Sequence, residues 1–152
     1  MHELQTAPDM RARVERLESI LEQAPQVECP LRHYFAPGVY LREMTIPAGT
    51  IATGAVHKTE HLSILSAGHC LLTTDDGVQE LKAPHTGLSK AGAKRAIVAI
   101  TDCVLTTVHP TDETDLEKLV GLLTESTQAE LLGGEKNRQL LANSPETLEA
   151  IK

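Results

Sequence analysis

The sequence predicts a mainly β domain, a small antiparallel β-barrel or sandwich with a helix before it and helical segments after it. Three observations carry that prediction. From Val39 to Val108, short β-branched and apolar runs alternate with Gly, Pro and Asp turn signals, enough for roughly eight strands. On either side of that stretch the apolar spacing becomes helical. The length, 152 residues, suits one domain able to bury its own core. The expected division is an N-terminal helix over 1–25, a barrel over 26–110 and a C-terminal helical segment over 111–152.

In chain order, Thr6 and Asp9 are spaced to cap a helix whose first turn holds Pro8. Ala7, Met10, Val14, Leu17, Leu21 and Ala24 form a seam in steps of three and four, and Pro25 ends it. The seam suits a helix lying across its own domain or one pairing with its copy in a dimer. Residues 26–37 read as a connector holding the one aromatic cluster, His33-Tyr34-Phe35, as a packing plug or with His33 lining a pocket. Val39–Ile46 alternates and shifts phase near Glu43, as a bulge would do. Thr50–Val56, Leu62–Ala67 and Cys70–Thr74 are strand-like. Asp76-Gly77 signals a hairpin into Val78–Ala83, and Pro84 and Gly87 break the chain. Arg95–Ile100 and Cys103–Val108 read as two strands joined across Thr101-Asp102. Thr114 and Glu117 then form a capping box ahead of Leu116, Leu119, Val120 and Leu123. Short helices are expected near Ala129–Leu132 and from Ser144.

Composition excludes several functions. The net charge is −7 without a Lys/Arg cluster, and the only aromatics are two Tyr and one Phe. Neither phosphate-backbone binding nor base stacking has residues to carry it, so no nucleic-acid partner is expected. Three cysteines, Cys29, Cys70 and Cys103, without a CxxC spacing, suit buried thiols in a reducing cytoplasm. No basic segment leads into an apolar run, and no apolar stretch nears 18 residues, so neither a leader nor a membrane partner is expected. A Ser-His-Asp set, a P-loop and GxGxxG are all missing.

The chemistry concentrates in Gly49–Gly68, where His57 and His61 stand four residues apart around Lys58-Thr59-Glu60. On a helix that spacing would put two imidazoles on one face, but the flanks are strand-like. On strands the pair converges if Lys58-Thr59-Glu60 is a turn, and neutral imidazole suits Zn, Fe, Ni, Cu or Mn. The segment resembles the first motif of the cupin superfamily: G, five residues, HxH, three or four residues, E, six residues, G. Gly49 and Gly68 take the two glycine positions and His57 the second His. Ala55 replaces the first His, and His61 replaces the Glu. The second cupin motif is eroded: Lys90 stands for its proline, Gly92 for its internal glycine and Arg95 for its histidine ligand. The resemblance covers roughly residues 33–110 and implies a cupin-like jelly roll. The runs His33–Thr50, His57–His61 and Val108–Thr111 are also similar to small cupin-like proteins encoded by bacteriophages, a group that implies no particular chemistry and would place the chain in the host cytoplasm.

Two of the four usual ligand positions are thus non-ligating. His109 is the remaining candidate, and a His57, His61, His109 triad would hold a divalent transition metal such as Zn, Fe, Ni or Mn with positions left open. A degenerate cupin whose histidines only hydrogen-bond, or ligand sets including Glu60 or His33, are the alternatives. The inward facing of His109 depends on the register of Arg95 across the Thr101-Asp102 turn, since a one-residue slip reverses the face. Arg95 either binds a carboxylate or phosphate in the barrel mouth or pairs with Glu43 or Glu60. His2, His69 and His85 read as surface or turn residues. The expected function is that of a small metal-binding protein that binds or acts on a small polar or anionic ligand. The alternative is a non-catalytic binding or interaction module, and a homodimer is expected in either case.

Overall fold

A computed structural model describes residues 10–125 and 139–141. The Thr6 cap and the helices expected near 129–132 and from Ser144 lie outside the described residues. Within them, α1 (Met10–Leu21) precedes β1 (Leu31–Ala36), β2 (Val39–Ile46), β3 (Thr50–Thr53), β4 (His61–Ala67) and β5 (His69–Thr74). Then follow β6 (Gly77–Lys82), β7 (His85–Ser89), β8 (Ala96–Ala99), β9 (Cys103–Pro110), α2 (Leu116–Leu123) and β10 (Gln139–Leu141).

The strands form two antiparallel sheets. The first runs β1-β2-β9-β4-β7 and the second β10-β3-β8-β5-β6. The pairs β2·β9, β3·β8, β4·β7 and β5·β6 are nested and alternate between sheets. One long hairpin, closed at Asp75-Asp76, has been rolled up into a jelly roll. The expected mainly β barrel with flanking helices is therefore the fold observed.

The amphipathic stripe of α1 is consumed inside the chain. Val14, Leu17 and Leu21 are buried against Ile51, Ala96 and Val98 on the outer face of the second sheet. The helix therefore lies across its own domain, and that stripe is not free to pair with a copy. Lys94 Nζ and Thr53 Oγ1 reach Glu18 Oε2 at 2.7 and 2.6 Å and fix the helix angle. Between the sheets, Met44, Ile46, Leu65, Cys70, Ile97 and Cys103 form the aliphatic core.

Several expected elements are corrected. The connector at 26–37 contains an edge strand, β1, between Pro30 and Pro37, which an edge tolerates. Tyr34 and Phe35 are exposed on it, so the cluster is not a buried plug. Past Pro84, β7 forms the other edge of the same sheet, despite Gly87. No bulge interrupts β2, whose register holds from Val39 to Met44 against β1 and from Val39 to Ile46 against β9. The apparent phase shift arises because Arg42 faces inward between Tyr40 and Met44; the register shift lies in β4, between Leu65 and Ala67. Most consequentially, β8 and β9 are not a hairpin. They lie in different sheets, β8 between β3 and β5, and β9 between β2 and β4. All four residues of β8 are buried, because the core covers one face and α1 the other. The chain turns the sandwich corner at 100–102, pinned by His69 N donating to Thr101 Oγ1 (3.0 Å) and Ala48 N to Asp102 Oδ1 (2.8 Å). Finally, α2 is capped by Asp115, whose Oδ1 accepts from Glu117 N at 2.9 Å, not by Thr114.

Candidate metal centre

Alternation along the first sheet sets its inward face in rows. Tyr40, His109, His61 and Ser89 form the row at one end of the sandwich. Arg42, Thr107, Ser63 and Gly87 form the next, and Met44, Leu105, Leu65 and His85 the third. His57 joins the first row from the turn before β4. Lys58 and Thr59 form the bend expected there, and His57 is held by an antiparallel bridge to Thr124 just after α2.

The three imidazoles converge. One ring nitrogen from each of His57, His61 and His109 lies within 4.8 Å of the others. Ring centroids are 4.1 Å apart for His57–His61, 4.8 Å for His61–His109 and 5.3 Å for His57–His109. Each ring is also tethered through one nitrogen. His61 Nδ1 donates to the Thr59 carbonyl (3.3 Å), and His57 donates to the Ala55 carbonyl. His109 Nε2 lies 2.9 Å from Thr107 Oγ1, while its Nδ1 is buried with no hydrogen-bond partner. A carbonyl can only accept, so His57 and His61 each keep a lone pair on the other nitrogen.

Electrostatics keeps these rings neutral. Burial, then the neighbouring His61 and His109, then Arg42, push His57 down to about 3. Burial, then His61 and Arg42, push His109 down to about 4. Burial also lowers His61, with a smaller contribution from Arg95 and an opposing one from the Thr59 carbonyl.

The residues fit a divalent transition metal. Three neutral imidazoles, each tethered through one nitrogen, are the usual donor set for one, and the orphaned Nδ1 of His109 lacks the partner a metal would supply. Such a metal would supply Lewis acidity or oxygen activation at the cavity wall. The other suggested ligands are elsewhere: Glu60 is exposed, and His33 Nδ1 is 2.7 Å from Tyr40 Oη.

The site opens into a cavity of about 420 Å³ between the sheets. Arg95 lies in its wall just before β8, its Nη1 donating to the Thr73 carbonyl at 3.0 Å and its Nε buried without a hydrogen-bond partner. It does not pair with Glu43, whose carboxylate accepts from Tyr34 Oη on the outer face. Sequence analysis missed Arg42 and Thr107, both on the inward face. The phase break in β2 was the available signal for Arg42, since an inward cation interrupts apolar alternation. His69 pairs with Glu80 (2.7 Å) at the surface, and His85 is exposed, as expected.

No family description matches the sequence, and no curated protein matches it. Solved structures do. Salicylate 1,2-dioxygenase from Pseudoaminobacter salicylatoxidans, in adducts with gentisate, superposes with a TM-score of 0.51 at 14% identity. The match covers 74% of this chain and 33% of that one, so this chain spans about a third of that enzyme. A cupin superfamily protein from Desulfitobacterium hafniense gives 0.48 at 14% identity, covering 59% of this chain and 83% of that one. A cupin-2 domain protein from Shewanella frigidimarina gives 0.46 at 14%, covering 67% and 99%. The likeness is one of fold, a jelly roll. On it, the two non-ligating positions of the motifs, Ala55 and Arg95, both line the cavity that His57 and His61 face, and β9 brings His109 to the same place.

Proposed function

We propose that this chain is a small metal-binding cupin-like protein, with His57, His61 and His109 holding a divalent transition metal (Zn, Fe, Ni or Mn) and Arg95 holding a small anionic ligand. The observation that carries this is the convergence of three imidazoles, each engaged by this chain through one ring nitrogen, with the other nitrogen of His109 buried and unpartnered. Charge argues for the anion. Three neutral imidazoles leave a divalent ion uncompensated, and Arg42 and Arg95 add positive charge to the same cavity. The acids that line it, Asp75 and Asp76, are exposed at the β5–β6 turn. An anionic ligand would offset this excess.

The absence of a buried carboxylate from that lining favours a second reading, a non-catalytic binding module, because the histidines are then the main acid–base groups and a metal would occupy them. In either case the protein would be a homodimer, supported by an apolar row on the outer face of the first sheet: Tyr34, Leu41, Val108, Leu62 and Leu88, aligned across all five strands. Buried free thiols at Cys29, Cys70 and Cys103 support a reducing cytoplasm, and among the described residues no helix is long and apolar enough to cross a membrane. The likeness to phage-encoded proteins adds no chemistry.

Elemental mass spectrometry on protein purified without chelator tests the proposal. Near-stoichiometric metal, lost in a His57→Ala/His61→Ala variant, is the expected result. Metal-free protein with an unchanged melting temperature in the variant overturns it.

A further inference from the structure

The cavity is graded from one end to the other. Its first row is imidazole, and its second holds Arg42, Thr107 and Ser63, with Arg95 and Thr74 on the facing sheet. Beyond that the walls are apolar: Met44, Leu65 and Leu105 from one sheet, and Ile97, Leu72 and Leu81 from the other. Apart from Gly54, bonded to Arg95 through its backbone, its exposed lining residues are Asp75, Asp76, Gln79, His85, Leu88 and Lys90. They cluster along β6, β7 and the adjoining turns, where the free edges of the two sheets meet. That seam is the entrance. The α2 side chains Leu116, Leu119, Val120 and Leu123 line the opposite, imidazole end.

A simple inorganic anion would use only the guanidinium row and leave the apolar floor in contact with water. A dicarboxylate extended along the cavity would put its second charge on that floor, against Met44, Leu65 and Leu72. Both arrangements carry a desolvation cost that an apolar tail avoids. We propose that the ligand is an amphiphilic monocarboxylate, its carboxylate on Arg95 beside the imidazoles and its short apolar body on the Met44–Leu65–Leu105 floor. This rests on the assignment of Arg95 to an anion made above, and adds the ligand's class and orientation. The volume, equal to about fourteen water molecules, bounds the whole ligand at roughly fourteen non-hydrogen atoms and its body at about ten carbons. Gly87 sits in the second row beside the entrance. A Cβ there would meet only His85 Nε2, at 3.6 Å, so a larger side chain is tolerated and fills the passage.

Isothermal titration of the full chain, metal-loaded and metal-free, with acetate, butanoate and hexanoate tests the proposal; glutarate and hexyl phosphate are the comparison ligands. Affinity should rise about fourfold per methylene, hexanoate should bind more tightly than glutarate or hexyl phosphate, and Arg95→Gln should weaken hexanoate about tenfold or more. Gly87→Leu should weaken hexanoate more than acetate. Affinity independent of chain length, or tighter binding of glutarate or hexyl phosphate, overturns the proposal. The length series in metal-free protein separates the two ideas. A rising series without metal keeps the ligand class and removes the metal, whereas bound metal with a flat series does the reverse.

Discussion

His109 shows how a single residue's neighbours decide its chemistry. Thr107, two positions earlier on the same face of β9, engages Nε2, while Nδ1 is buried without a hydrogen-bond partner in the cluster with His57 and His61. Thr107→Val removes that tether with little change in volume. Metal affinity should then fall about ten- to hundredfold, as measured by competition with a chromophoric chelator; a change under about twofold would mean that the tether is irrelevant. The same rings predict acid lability in metal-free protein. Their ordinary value is 6.5, and burial pushes His57 to about 3 and His109 to about 4. Above pH 6.5 neither state binds these protons. Below it the unfolded chain takes them up and the folded one does not, so stability falls from about pH 6.5 toward pH 4. Melting curves should show that slope, reduced in His57→Ala; a slope unaltered by the substitution would refute it. His57 and His61 were legible in the sequence because only four positions separate them. The placement of His109 was not, because it depends on which strands flank β9.

Among the elements, the strands were legible where both alternation and a turn signal were present, as in β2, β4 and the β5–β6 hairpin. The edge strands β1 and β7 were obscured by Pro30, Pro37, Pro84 and Gly87, residues that central strands reject and edges accommodate. The β8–β9 pairing was misjudged because two apolar runs around a short polar step resemble a hairpin. The fully apolar Ala96–Ala99 was the contrary sign, since a strand buried on both faces cannot sit at a simple two-stranded turn. A comparable demand falls on Gly68, between β4 and β5. Its φ is +97°, and a Cβ there would collide with the Asp102 carbonyl oxygen and approach Cys103 Sγ to 2.7 Å. Gly68→Ala should destabilise the fold by about 3 kcal/mol or more, as read from urea denaturation. A loss below about 1 kcal/mol would show that the corner rearranges freely.

For the whole molecule, the sequence disclosed a β-barrel between helices but not how the sheets divide, because nested pairing joins residues far apart in the chain. The outer surface of the first sheet offers a test of assembly. Leu62 and Leu88 are directly opposed there and 45% and 54% exposed. If that surface joins two copies, Leu88→Glu should yield monomers in sedimentation equilibrium while the metal content stays constant; a wild-type chain that is monomeric at high concentration rules the dimer out. At the imidazole end, Thr124 bridges His57, Lys58 N donates to the Leu123 carbonyl (2.7 Å) and Glu125 N to the Val56 carbonyl (2.9 Å). The segment that presents one ligand is therefore the segment on which α2 is seated. By thermodynamic reciprocity, whatever free energy an ion gains from a well-placed His57 is returned as firmer seating of α2. Slower amide exchange across Leu116–Leu123 would then report the occupancy of a centre to which none of those residues supplies a ligand.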